Sequence, residues 1–97
     1  MKRTIRFSPK AKGDLDDIWD HSLNEWGAER AEAYVRTIHA VIDLVDQFPT
    51  IARSASTVRL GLLKYAAGSH VVFFRIGHES ITVVRILHQR MDYPRHL

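Results

Sequence analysis

Ninety-seven residues fit one domain, 1–97, because a single hydrophobic core commonly serves about 100–150 residues. Hydrophobic residues make up 45% and charged residues 26% of the chain, and no stretch approaches the roughly 20 consecutive apolar residues of a bilayer span. There are no cysteines, which removes disulfides and thiolate zinc sites and accords with a reducing cytoplasm. The opening MKRTIRFSPK is basic with no apolar run behind it, so no secretory signal is expected.

The net charge of +3 hides a segregation. Residues 1–13 carry five basic side chains and no acids, residues 14–46 carry a net −7, and residues 53–97 a net +5. An acidic middle between basic flanks either steers an anionic partner to the basic surface or is partly neutralised within the fold.

Ile5 and Phe7 alternate with polar neighbours, which predicts a short strand ending at Ser8. Ser8-Pro9 is a helix start, since serine caps free N–H groups and proline is tolerated at the first helical position. Asp14, Asp16 and Asp17 follow early in that helix, where the macrodipole favours negative charge. Leu15, Ile18, Trp19, Leu23 and Trp26 mark an apolar face up to Gly27. A second amphipathic helix is predicted over 28–48, ended by Pro49. The short join makes the pair an antiparallel hairpin, with most of its acids off the apolar stripes.

Residues 50–57 read as a polar loop. Three strands are predicted over 59–65, 70–76 and 80–87, joined by AAGS and by a GHES hairpin turn. The order β-α-α-β-β-β predicts an α+β domain: a helical hairpin packed on one face of a small, mostly antiparallel sheet. Within it VVRIL is expected as the central core strand.

Pairing Ile76 with Ile81 divides the sheet into two faces. One carries His70, Val72, Phe74, Ile76, Ile81, Val83, Arg85 and Leu87. The other carries Val71, Phe73, Arg75, Thr82, Val84, Ile86 and His88. Both are mostly apolar, whereas a half-exposed sheet should show one polar face. The second face therefore needs a cover: the C-terminal tail with loop 50–57, a second copy, or a partner protein. Arg85, on the first face, is expected to pair with a carboxylate of the hairpin.

Six histidines make no HxxxH or HExxH pattern, and His70 with His88 is the nearest approach to a ligand pair. No phosphate loop, nucleophile elbow or cysteine nucleophile is present, and Asp16-Asp17 read as helix-start and solvent charges. What remains is a basic end: Arg85, Arg90 and Arg95 suit phosphate or carboxylate, with the imidazoles of His88 and His96 beside them. A metal-free ribonuclease would need an acid, a base and cations, for which Arg90 and His96 are candidates. A simple solvated tail fits the same residues equally well.

Three segments, FSPKAKGDLDDIWDHSLNEWG, GSHVVFFRI and VVRILHQRMDYPRHL, in this order over nearly the whole chain, resemble the ParE toxins within the ParE/RelE superfamily. The resemblance implies a RelE/ParE-like fold and a toxin of a type II toxin–antitoxin module, of the kind used in plasmid stabilisation. Its implied target is DNA gyrase, inhibited without catalysis or cofactor by stabilising the cleaved-DNA complex. It implies neutralisation by a ParD-like antitoxin, whose partly helical tail would cover the second face at Val71, Phe73, Arg75, Val84, Ile86 and His88. Arg90, Arg95 and His96 would then dock the target, and DNA would be met only through antitoxin or gyrase. The superfamily's RelE-like branch implies instead a ribosome-dependent mRNA endoribonuclease. Its strand arginine falls on Val71, its lysine-rich strand is reduced to Lys64, and Arg90 with His96 lie near its phosphate-binding and acid/base positions. A non-toxic antitoxin-binding module is the third reading.

Overall fold

The computed structural model describes residues 2–97. Strand β1 (Thr4–Phe7) ends where Ser8 turns out of the sheet. The Ser8 hydroxyl accepts the Ala11 N–H at 3.0 Å, capping helix α1 (Pro9–Trp26), and donates to the Val84 carbonyl at 2.7 Å. Gly27, with φ 89°, joins α1 to helix α2 (Ala28–Gln47). A single 3₁₀ turn, Pro49–Ile51, follows. Four strands then complete the sheet: β2 (Arg53–Ser54), β3 (Leu63–Ala67), β4 (His70–Ile76) and β5 (Ser80–His88). A four-residue helix, α3 (Tyr93–His96), ends the described chain.

The sheet order is β1-β5-β4-β3-β2, with β1 parallel to β5 and every other pair antiparallel. The α+β class, the helical hairpin and the mostly antiparallel sheet match the sequence expectation. β4 is the middle strand, and VVRIL on β5 lies one position off centre. β3 begins four residues later than predicted, because Arg59–Leu62 form a turn in which the Leu62 N–H meets the Arg59 carbonyl. The Arg75 guanidinium fixes that turn by donating to the Leu60 carbonyl at 2.9 Å. Between β3 and β4 only Gly68 and Ser69 lie outside the ladder. Gly68 has φ 61° and is the positive-φ residue of that turn, which gives it the II′ signature favoured by two-residue hairpins. A side chain there would also meet the Tyr34 ring at 2.8 Å.

One side of the sheet packs on the helical hairpin. Ile18, Ile38, Ile42 and Val45 from the helices meet Val72, Phe74, Ile81, Val83 and Ile86 from the strands, all buried. The expected face assignment holds from the turn as far as Val83 and then fails. Phe74 pairs with Val83 but Phe73 pairs with Arg85, so Val84 is an extra residue, a β-bulge. A bulge shifts the alternation by one. Ile86, expected on the second face, joins the helix-facing core, while Leu87 crosses to the other side.

That other side is covered within the chain. Phe73, Leu87, Leu62 and Ala55 form a second small core, with Val71, Val84, Tyr93 and Leu97 packed against it. The Tyr93 ring meets the fully buried Phe73 edge-on at 4.9 Å between centroids. The tail lies over this face as expected, and of the expected loop 50–57 Ala55 joins it, with Leu62 from the turn that follows.

Two ion pairs tie the layers together. Arg3 reaches the buried Asp46 at the end of α2 at 3.2 Å and donates to the Gly77 carbonyl, closing the start of β1 onto the hairpin. Arg85 is held by Asp14 of α1 through two 2.7 Å bonds, Nε to one oxygen and Nη2 to the other. Both side chains are nearly buried, and Asp14 raises the arginine pKa further above its already high ordinary value. Removing one partner leaves the other charge desolvated. Arg85→Ala should therefore cost about 3–5 kcal/mol in a urea denaturation curve, as for other buried pairs; a midpoint within error of the parent would show that the pair adds nothing.

Candidate functional site

The six residues expected to share one surface are split by the bulge. Val71, Phe73 and Val84 belong to the tail-covered side, and Arg75 is turned toward the 60–62 turn next to it. Ile86 and His88 line a cavity on the opposite side of the sheet. The bulge leaves no periodic signal in a run such as TVVRILH, so the sequence did not show this division.

On the tail-covered side the last residues are pinned by two arginines. Arg85 Nη1 donates to the His96 carbonyl at 2.9 Å, and Arg59 donates to the Leu97 carbonyl. These bonds use the backbone of the tail. The side chains of Arg90, Arg95 and His96 are exposed, and among the described residues they enter no hydrogen bond or ion pair. Arg95 and His96 lie in the last turn of α3, while Arg90 sits in the turn before it, its N–H donating to His88 Nδ1 at 3.2 Å. Arg90 and His96 are thus free cationic or titratable groups with no partner to orient them as an acid–base pair.

The cavity lies between the second half of α1, Tyr34 of α2, and the ends of β4 and β5, with a volume of about 420 Å³. His70 and His88 are cross-strand partners whose rings meet edge-on at 5.3 Å, the adjacency expected from the sequence. Both rings are hydrogen-bonded through Nδ1. The Tyr34 hydroxyl accepts the Ser69 N–H at 2.9 Å and has one hydrogen to give. His70 Nδ1 lies 2.6 Å away and the Ala67 carbonyl 3.5 Å away, so the hydrogen goes to the imidazole. His70 is then neutral with its own hydrogen on Nε2. His88 Nδ1 accepts the Arg90 N–H at 3.2 Å. Among the described residues no set of three ligating side chains could hold a metal ion.

Burial lowers the His70 pKa from the ordinary 6.5, His88 and His21 lower it further, and Asp14 opposes them. Below pH 6.5 the unfolded chain therefore binds more protons at this position than the folded one. Stability should decline as the pH falls through 6.5 toward the lower folded-state value. His70→Asn keeps an acceptor for the Tyr34 hydroxyl and cannot titrate. Urea midpoints at neutral and mildly acid pH should show a smaller acid loss for the variant; equal losses would mean that His70 is not held neutral by the fold.

Comparison with known proteins bears on which chemistry this arrangement serves. Residues 5–93 match the family described as ParE toxin of type II toxin-antitoxin system, parDE. The chain belongs to the ParE toxin family. It is 44% identical over 98 residues to a protein named Toxin ParE1 from Mycobacterium tuberculosis strain H37Rv, covering all of both chains. Its fold is similar to a solved structure described as a chromosomal ParDE TA system from P. aeruginosa. That likeness has a TM-score of 0.74 at 23% identity, over 89% of this chain and 95% of the other. A toxin–antitoxin complex, RelBE2 from M. tuberculosis, shares the fold with a TM-score of 0.63 at 17% identity, over 92% and 100% of the two chains. Among the described residues, no helix of this ParE-family chain is long and apolar enough to cross a membrane.

Proposed function

We propose that this ParE-family chain is the toxin of a type II module, acting in the cytoplasm on DNA gyrase by stabilising the cleaved-DNA complex and neutralised by a ParD-like antitoxin. The observation that carries the reading is the full-length 44% identity to a protein named Toxin ParE1. The free basic groups Arg90, Arg95 and His96 supply a docking surface suited to an anionic target. Without an oriented acid–base pair they suit binding better than turnover. On this reading the chain meets DNA only through gyrase or the antitoxin.

The antitoxin is proposed to engage the sheet side carrying Val71, Phe73, Arg75 and Val84. Phe73 is fully buried under Tyr93, so an incoming segment that reaches it must first lift α3. Four helical residues, one ring contact and two arginine–carbonyl bonds hold that tail, a small set for an apolar antitoxin segment to replace. Folding of a disordered acidic segment onto this basic, apolar side would supply the compensation. Ile86 and His88 no longer belong to this surface.

Purified protein with gyrase and supercoiled plasmid should trap cleaved DNA, while programmed ribosomes keep their mRNA intact. Cut mRNA with untouched gyrase would move Arg90 and His96 into an active site, and neither signal would leave a module that only binds its antitoxin. Val84→Asp, checked for folding by circular dichroism, should weaken antitoxin binding by about tenfold or more, roughly 1.4 kcal/mol; unchanged affinity would place the antitoxin elsewhere.

A further inference from the structure

Several cations surround the tail-covered side of the sheet, and most of them are engaged. Arg59 donates to the Leu97 carbonyl, Arg75 to the Leu60 carbonyl, and Arg85 to Asp14 and the His96 carbonyl. Arg53 of β2 and Lys64 of β3 differ. They are cross-strand partners, and Lys64 is in turn opposite Phe73, so both side chains lie on the side of the sheet that carries Phe73. Among the described residues neither side chain enters a hydrogen bond or ion pair. Like charges directly opposite one another destabilise a ladder. A single charge already guards an edge strand against unwanted pairing, so the second has no use inside the chain.

Arg53 and Lys64 line a cavity of about 380 Å³ together with Ala66 and Val71, which face each other across β3 and β4. Two cations and an apolar pair therefore share one small surface. Val71 also packs against the second core, so this surface runs on into the side proposed for the antitoxin. Among the described residues none of the tail lines the cavity, and it is open with α3 in place. We propose that it takes a single carboxylate, the side chain of an aspartate or glutamate in an extended polypeptide segment whose apolar neighbours lie along Ala66 and Val71. Arg53 offers a planar fork for the carboxylate and Lys64 a point charge beside it.

A nucleic-acid backbone fits this surface less well. It presents a phosphate at every step and calls for a track of free cations, whereas Arg59, Arg75 and Arg85 are already engaged and an apolar floor adjoins the two that remain. The identity of the partner rests on the antitoxin reading above; the chemistry of the site does not. On that reading the cation pair is met first, because Phe73 is reached only after α3 lifts and this cavity needs no such step. The carboxylate contact then governs association and its salt dependence, while the apolar exchange governs release.

The test has two arms. The first titrates the isotope-labelled full-length chain with acetyl-Val-Glu-Val-amide, with its glutamine counterpart, and with an oligothymidylate. The glutamate peptide should shift the Arg53, Lys64 and Val71 resonances, and the other two should shift them less. The second compares antitoxin binding by the parent and by the Arg53→Gln, Lys64→Gln double variant, which relieves a like-charge contact and should keep the parent's urea midpoint or exceed it. Association of the variant should be about tenfold slower at low salt and nearly independent of salt, with dissociation changed by no more than about twofold. Unchanged association, in a chain where Val84→Asp still weakens the antitoxin, would overturn this proposal and leave the antitoxin surface standing. A parent that binds no antitoxin would overturn that reading instead, and the peptide arm then decides the site alone. Equal shifts from the two peptides, or larger ones from the oligonucleotide, would overturn the carboxylate assignment in either case.

Discussion

The Asp14 carboxylate accepts three hydrogen bonds, from Nε and Nη2 of Arg85 and from the Ile86 N–H at 2.9 Å. The third bond explains the other two. β1 pairs with β5 only as far as Phe7 opposite Val83, and the Ser8 N–H takes the Val83 carbonyl. Beyond that point the edge of β5 would be bare, and an unpaired N–H near the core is costly. Asp14, one turn into α1, takes the place of the missing strand. The Ser8 hydroxyl takes the carbonyl of the bulge residue Val84 at the same edge. Helix start, bulge and ion pair are therefore one construction, and it fixes which side of the sheet each later residue faces.

From that construction follows a sheet with two cores. The helical hairpin covers one side, as the amphipathic spacing of both helices requires. The bulge sends Leu87 to the other side to join Phe73, and two large side chains there need cover. Arg85 helps supply it, because the guanidinium that binds Asp14 also donates to the His96 carbonyl. The tail is thereby coupled to the helical layer through one side chain. The bond from Arg85 to the His96 carbonyl uses Nη1, while the ion pair to Asp14 uses Nε and Nη2, so the two are made by different nitrogens.

Much of this was legible because it rests on local rules. Ser8-Pro9, the Gly27 break, Pro49 and the strands at 70–76 and 80–87 each carry their own signal, and the Arg85–hairpin pairing followed from an arginine among apolar neighbours. The face of Ile86 and His88 was not legible, since one inserted residue in a run of β-branched side chains changes no periodicity. β2, with two residues, is too short to show alternation. Leu60 read as part of a strand, yet it is 85% exposed on a turn held by Arg75, a tertiary contact that no local pattern announces. The α3 helix escaped for the same reason. Its position is set by Tyr93 on Phe73, and its four residues have little helical preference of their own.

The charge segregation seen in the sequence takes on a different meaning in the fold. Two of the acids of residues 14–46, Asp14 and Asp46, are consumed internally by Arg85 and Arg3. The remaining hairpin acids are exposed on α1 and α2, and the exposed cations Arg90 and Arg95 follow β5 in the chain. Neutralisation within the fold and display to partners are therefore both present, separated by position.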